Sequence, residues 1–339
     1  MAVTIKDVAR EAGVSFSTVS KVLNNSPRIS EATANRVREV MGRMDYTPNV
    51  RASNFKRRST RSIAFLTALQ KGAAFNVPHM FEILCGAHSA LALKGYSVAL
   101  VDVSGDEKPG DTVKAVISAG GYDGIIVHGS ALNRDAATML VQGSFPHVVL
   151  SKPGFESPVC WLDINNALAG DIAAHHLAEG GVRHVAFIGG EREDNICKNR
   201  LEGARSRLDE LGMTMREDHI LYADSSIEEG HAAASELLAR KDRPDGVICN
   251  DNMITIGVLK AAREAGLKLP ADLQVITFDD YPFSRIMDPS PTVVNVDVYD
   301  LGERAASQLI KNIRNPALRV QSYVTLPELI VRGTTRKTD

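Results

Sequence analysis

The sequence predicts an α/β protein: an N-terminal all-α helix-turn-helix head followed by a long, doubly wound α/β body. Three observations carry this. Thr4 to Asn25 holds two short apolar stripes at helical spacing on either side of Gly13. From Ser62 onward, short runs of Val, Ile and Ala alternate with helical stretches, the pattern of a parallel sheet with crossover helices. Charge divides at the same place. Residues 1–61 carry twelve Lys and Arg against five Asp and Glu, a net of +7, which leaves −9 for the rest of a chain whose total is −2. A basic head on an acidic body is the electrostatic footprint of a polyanion-binding module on a separate unit.

The head is taken first. Thr4 can cap a helix start, because its hydroxyl accepts an orphan amide hydrogen bond there. Ile5, Val8, Ala9 and Ala12 form one apolar stripe, and Gly13 supplies the left-handed residue that stops the helix. Ser15 opens a second helix with Val19, Val22 and Leu23 on its inner face. Its outer face carries Phe16, Ser17, Thr18, Ser20, Lys21 and Asn24, short polar groups with one aromatic and one cation. Such a face suits a DNA major groove: hydroxyls and amides reach phosphates, and Lys21 reaches guanine acceptors. A third helix is expected from Ser30 to Met44, with Val37, Val40, Met41 and Met44 closing a three-helix core. Pro48 ends it. Residues 50–62 are short, basic and poor in apolar groups, which reads as a linker.

In the body, strands are expected at Ser62–Leu69, Tyr96–Asp102, Gly124–Gly129 and His147–Leu150. Helices are expected between them at Pro78–Lys94, Thr112–Ala119 and Ala136–Gln142. Phe81, Leu84, Cys85, His88 and Leu91 share one face of the first. A second series begins near Trp161. It contains helices Ala167–Glu179, Asn199–Leu211, Ile227–Ala239 and Ile254–Ala265, and strands His184–Gly189, Gly246–Asn250 and Gln274–Phe278. Thr292–Val296, a helix Leu301–Ile313 and Ser322–Leu329 must rejoin the earlier sheets.

A chain of 339 residues with 44% apolar content is long enough for two or three cores. No run of eighteen apolar residues occurs, so no membrane span, and no membrane partner, is expected. The start, MAVTIKDVAREAG, has no apolar signal core, so a cytoplasmic location is expected. The four cysteines, Cys85, Cys160, Cys197 and Cys249, are scattered and read as buried thiols. No phosphate loop, nucleophile elbow or His-x-x-x-His pair is present, so neither an enzyme nor a metal or cofactor site is expected.

The head resembles the DNA-binding headpiece of the lac-repressor (LacI/GalR) family of bacterial transcription regulators, whose signature runs T-x-x-D-V-A-x-x-A-G-V-S-x-x-T-V-S-x-V-L-N. Thr4, Asp7, Val8, Ala9, Ala12, Gly13, Val14, Ser15, Thr18, Val19, Ser20, Val22, Leu23 and Asn24 match it. Tyr46, Pro48, Asn49 and Ala52 match the segment that follows. Phe55 stands where the family has a leucine wedge, and Ser53 where it has Arg or Gln. The resemblance implies a headpiece at 1–49, a hinge at 50–61 that wedges an apolar side chain into the minor groove, and an effector-binding and dimerisation region at 62–335. It further implies two subdomains like those of type I periplasmic binding proteins, one of 62–162 and 292–321, the other of 163–291 and 322–335. DNA contacts are expected from Thr4, Ser15, Phe16, Ser17, Thr18, Ser20, Lys21, Asn24, Ser30, Asn49, Ala52 and Phe55. The partners expected are double-stranded operator DNA, a sugar-like effector and a second copy of the chain. A dimer rather than a tetramer is expected, because the sequence stops at Asp339 without a leucine-heptad tail.

Ligands bind at the carboxyl ends of strands in open parallel sheets. His128, Ser151, Asn250 and Asp279 each follow an expected strand, and Arg200 opens a helix after one. Taken singly, strand-end Asp and Asn usually cap turns, and a lone Arg usually ends a helix in solvent. The resemblance favours a binding role: Arg200-Leu201-Glu202-Gly203, Asn250-Asp251 and Phe278-Asp279-Asp280 match family motifs whose Arg, Asn and first Asp hydrogen-bond the effector. His79 and Asp194 are candidates by position, and Phe81 is a candidate for stacking on a sugar ring.

Overall fold

A computed structural model describes the chain except for residues 1–3, 24, 25, 27, 45–58, 70, 72–77, 191, 193, 319–322, 338 and 339. Two compact units are present, residues 1–60 and residues 61–339.

The first unit contains α1 (Ile5–Glu11), α2 (Phe16–Leu23) and α3 (Glu31–Arg43). Val8, Ala9, Ala12, Val19, Val22, Val37 and Val40 are buried together, which makes the three-helix core. Thr4 and Asp7 form a reciprocal capping box: the Thr4 hydroxyl accepts from the Asp7 amide, and the Asp7 carboxylate accepts from the Thr4 amide at 3.0 Å. Gly13 turns the chain at φ +63°, the left-handed conformation expected of it.

The second unit is two six-stranded sheets. The first contains β1 (Ser62–Thr67), β2 (Ser97–Asp102), β3 (Gly124–His128), β4 (His147–Leu150), β5 (Trp161–Ile164) and β11 (Tyr323–Thr325), in the order β11-β5-β4-β3-β1-β2. The second contains β6 (Val185–Gly189), β7 (Ile220–Tyr222), β8 (Gly246–Cys249), β9 (Gln274–Phe278), β10 (Thr292–Asn295) and β12 (Glu328–Ile330), in the order β12-β10-β9-β8-β6-β7. All pairs are parallel except β10 with β12. Helices α4 (Pro78–Ala92), α5 (Asp111–Ala119), α6 (Arg134–Gln142) and α11 (Val298–Arg314) serve the first sheet. The second sheet has α7 (Asn166–Glu179), α8 (Asn195–Glu210), α9 (Ile227–Leu238) and α10 (Asn252–Glu264).

The α/β architecture is as expected, with differences in detail. Strand β10, expected with the first group, lies between β9 and β12 in the second sheet, and β11, expected with the second group, extends the first. The segment read as Ser322–Leu329 is two strands, one in each sheet. Val293 and Val294 are buried on both faces beside β9, so the change of sheet falls after β10 rather than before it. The three-residue β7 was not anticipated.

The face of α4 also differs. Met80, Ile83, Ala87 and Leu91 are buried, whereas Cys85 and His88 are exposed. Gly86 decides this: a Cβ there would lie 2.0 Å from the Tyr299 carbonyl oxygen, so α11 packs directly on its backbone. Cys85 is therefore an exposed thiol rather than a buried one.

Candidate functional site

On α2, the inner face buries Val19 and Val22, while Phe16, Ser17 and Lys21 are exposed and Thr18 and Ser20 are partly so. The Ser15 hydroxyl accepts from the Thr18 amide at 3.2 Å and lies 2.8 Å from the Ser17 hydroxyl and 2.9 Å from that of Thr18. Thr4 and Ser30 are the caps of α1 and α3. Three of the hydroxyls singled out for DNA contact thus also hold helix starts in place. Asn24, Asn49, Ala52 and Phe55 lie outside the described residues.

In the second unit a cavity of about 190 Å³ opens at the carboxyl ends of the strands. Asp194, Arg200, Asn250 and Asp279 line it from the second sheet and its helices, as does His79 from the start of α4. The sequence reading missed Tyr281, Asn252, Asp251 and Ser225, which also line it. Asn252 opens α10 immediately after Asp251, the N-cap, so a strand-end Asn-Asp-Asn run was the available signal.

Arg200 is the centre of the wall and is itself buried. Its Nε donates to Asn166 Oδ1 at 3.1 Å and its Nη1 to the Asn250 carbonyl at 2.6 Å. Its Nη2 stands 3.8 Å from Asp279 Oδ2, and its guanidinium lies 4.0 Å from the Phe278 ring centroid. Asp279 adopts φ +66°, a conformation that Asp and Asn tolerate better than most residues. Backbone outliers of this kind collect at binding sites, where the surrounding structure over-determines them.

Asp194 caps α8 by accepting from the Cys197 amide at 3.0 Å. Asp251 accepts from the Ile254 amide at 2.9 Å and from the Ser225 hydroxyl at 2.7 Å. Burial lowers the His79 imidazole below its ordinary value; Asp279 opposes that shift and the Arg200 charge adds to it.

Three expected residues do not line the cavity. Phe81 sits on α4 one turn beyond Pro78, which does line it. His128 follows β3, and its Nδ1 lies 2.7 Å from the Ser130 hydroxyl. Burial pushes the His128 ring down to about 4, helped by the His79 charge and opposed by Asp194. Ser151 adopts φ +69° and hydrogen-bonds Asp163. Burial raises the Asp163 carboxyl, while the Lys152 and Ile164 amides donate to it at 2.8 Å each. Among the described residues no group of His, Cys, Asp and Glu is poised to hold a metal, and no helix is long and apolar enough to cross a membrane.

Residues 4–49 match the family model described as bacterial regulatory proteins, lacI family, and residues 174–335 match a periplasmic binding protein-like domain. The HTH-type transcriptional repressor CytR of Escherichia coli strain K12 is 31% identical over 338 residues, covering 99% of this chain and 97% of the relative. The repressor PurR of Vibrio campbellii is 29% identical, covering 98% and 99%. A transcriptional regulator CelR–cellobiose complex superposes with a TM-score of 0.74 at 28% identity, covering 98% and 99% of the two chains. The lac repressor dimer bound to operator and the anti-inducer ONPF shares the fold, with a TM-score of 0.86 at 22% identity over 98% and 99%.

Proposed function

This chain belongs to the lacI family of bacterial regulatory proteins, and on that premise we propose that it is a transcriptional repressor released from a palindromic operator by a small sugar-like effector. The observation that carries the reading is one chain holding both parts of a switch. A basic, capped helix-turn-helix occupies residues 4–43, and a cavity ringed by Arg200, Asn250, Asp279 and His79 lies in residues 61–339.

In this reading residues 1–49 are the headpiece and residues 50–61 the hinge. The remainder to 335 binds effector and forms a homodimer, since a two-fold protein mirrors two-fold DNA. Thr4, Ser15, Phe16, Ser17, Thr18, Ser20, Lys21, Asn24 and Ser30 contact DNA from the headpiece. Asn49, Ala52 and Phe55 contact it from the hinge, with Phe55 as the minor-groove wedge. Asp194, Arg200, Asn250, Asp279 and His79 take hydroxyls of the effector, as a cellobiose-bound relative suggests. His128, Ser151 and Phe81 act from beside the cavity. The protein works in the cytoplasm and performs no chemistry on its ligand. The effector shifts operator affinity only by as much as it distinguishes the DNA-competent state from the other.

Fluorescence anisotropy of the full chain on a palindromic operator duplex tests this. Affinity falls steeply with salt as phosphate contacts release counterions, by roughly 10³ or more between 50 and 200 mM for six or more contacts. Salt-independent binding contradicts the reading.

A further inference from the structure

The polar atoms of the cavity divide into those already partnered and those left open. Arg200, the cation among the described lining residues, spends its Nε on Asn166 and its Nη1 on the Asn250 carbonyl, and its charge is shared with Asp279, 3.8 Å from Nη2, and with the Phe278 ring. Asn252 is also used up: its Nδ2 donates to the Phe278 and Asp279 carbonyls at 2.7 and 3.0 Å, and its Oδ1 accepts from Ser284 at 2.8 Å. Among the described residues two buried side-chain atoms of the lining have no partner, Asn250 Oδ1 and Tyr281 Oη. Both residues are more than nine-tenths buried, at 7% and 8% exposure. A buried polar atom without a partner is costly, and a ligand that completes it recovers that cost.

The Tyr281 ring is held in place by stacking on Phe283, with centroids 5.5 Å apart. Burial, and after it the Asp279 charge, raise its hydroxyl well above the ordinary phenol value, so it stays protonated and can both donate and accept. Asn250 Oδ1 only accepts. Among the described lining residues the carboxylates of Asp194, Asp251 and Asp279 outnumber the Arg200 guanidinium, and desolvation lowers the His79 ring below its ordinary value. Asn250 Oδ1 therefore calls for a hydrogen-bond donor, Tyr281 Oη serves a hydroxyl in either sense, and an incoming oxyanion would meet like charge.

We propose that Tyr281 is an effector-binding residue, and that its hydroxyl and the Asn250 side-chain oxygen select an uncharged, hydroxyl- or amino-bearing ligand over a phosphorylated or carboxylated one. This rests on the cavity being the effector site. It adds a residue to that site, and it sets the discrimination between neutral compounds and their acidic counterparts. An analogue that lacks the matching donor leaves both atoms unpaired, which is how a hydrogen-bonding site rejects near neighbours.

The test uses the full chain in two steps. Thermal shift is measured with cellobiose, ribose and a set of nucleosides, each beside its phosphorylated or uronic-acid counterpart. Stabilisation by the neutral compounds is expected; stabilisation by the acidic member of a pair in preference to the neutral one overturns the proposal. Tyr281→Phe is then compared with wild type. The hydroxyl has no partner among the described residues, so the ligand-free melting temperature is expected to hold or rise; a fall means the hydroxyl supports the fold and overturns the assignment. The neutral hit is expected to need about tenfold more ligand to release the operator from the variant, the size of one neutral hydrogen bond at the upper end of its range. Release of both proteins at one concentration overturns the Tyr281 assignment and leaves the effector-cavity reading standing. Stabilising compounds that never release wild type from operator contradict that reading itself.

Discussion

The two sheets share one strand order, so that β3 corresponds to β8, β4 to β9 and β5 to β10. His128 after β3 therefore corresponds to Asn250 after β8, and Ser151 after β4 to Asp279 after β9. The likeness extends to the backbone. Ser151 and Asp279 are both left-handed, at φ +69° and +66°, and each donates its amide to the fifth strand of its sheet, to Leu162 at 2.7 Å and to Val294 at 3.1 Å. Of these four strand-end residues, Asn250 and Asp279 line the cavity and His128 and Ser151 do not. The difference lies in what the side chains do locally. The His128 ring turns to Ser130, and Ser151 binds Asp163, so both are satisfied within their own half. Asn250 Oδ1 is left without a partner among the described residues, and Asp279 stands 3.8 Å from Arg200. Strand-end position nominates a binding residue; local satisfaction decides whether it is available.

The largest effect expected from this asymmetry is at Arg200. Arg200→Ala leaves Asp279 and Asn166 without their cation and donor, and breaking a buried pair from one side costs about 3–5 kcal/mol. Denaturant unfolding of the full chain should show that loss. An effect below about 1 kcal/mol would mean the guanidinium only waits for ligand and does not hold the wall together.

The next test compares two helix crossings. A Cβ on Gly203 of α8 would lie 1.9 Å from the Ala167 carbonyl oxygen of α7, and one on Gly302 of α11 would lie 2.1 Å from that of Ile83 on α4. Each glycine→alanine change should destabilise by about 1–3 kcal/mol through overpacking. Because α7 carries Asn166 and α8 carries Arg200, Gly203→Ala should also weaken effector binding by more than Gly302→Ala does. Equal effects in an effector titration would remove the asymmetry.

The smallest effect is on the first side and depends on pH. The folded His128 ring stays neutral down to about 4, whereas an unfolded one takes a proton below about 6.5. Proton uptake thus favours the unfolded state, and stability falls as pH drops from about 6.5 towards 4, by at most about 1.4 kcal/mol per unit. His128→Asn keeps an acceptor for the Ser130 amide and should flatten the melting-temperature profile in that window. Only part of the slope should go, since burial also lowers His79, His147, His176 and His219.

Local chemistry was what the sequence made legible. Thr4 as a helix cap and Gly13 at a helix end act through neighbours within a few residues, and Asn250 and Asp279 follow their strands directly, so all four sit where the pattern implies. Contacts made at long range were not legible. The buried face of α4 depends on Gly86 meeting α11, more than 200 positions along the chain, while a nearly all-apolar helix offers two plausible stripes. The exchange of β10 and β11 between sheets depends on which edge each strand reaches. Tyr281 was missed, because its role depends on a hydroxyl unpartnered among the described residues, which only the packed structure reveals.

The most direct test of the account is an operator-release titration of wild type beside Asp279→Asn, with the neutral compound that most raises the wild-type melting temperature. Asn tolerates the left-handed backbone at this position and removes only the charge. Losing one charge-assisted hydrogen bond costs about 1.5–3 kcal/mol, so the account predicts a release midpoint about ten- to a hundredfold higher in the variant. Release of both proteins at the same concentration would contradict the claim that this wall reads the effector.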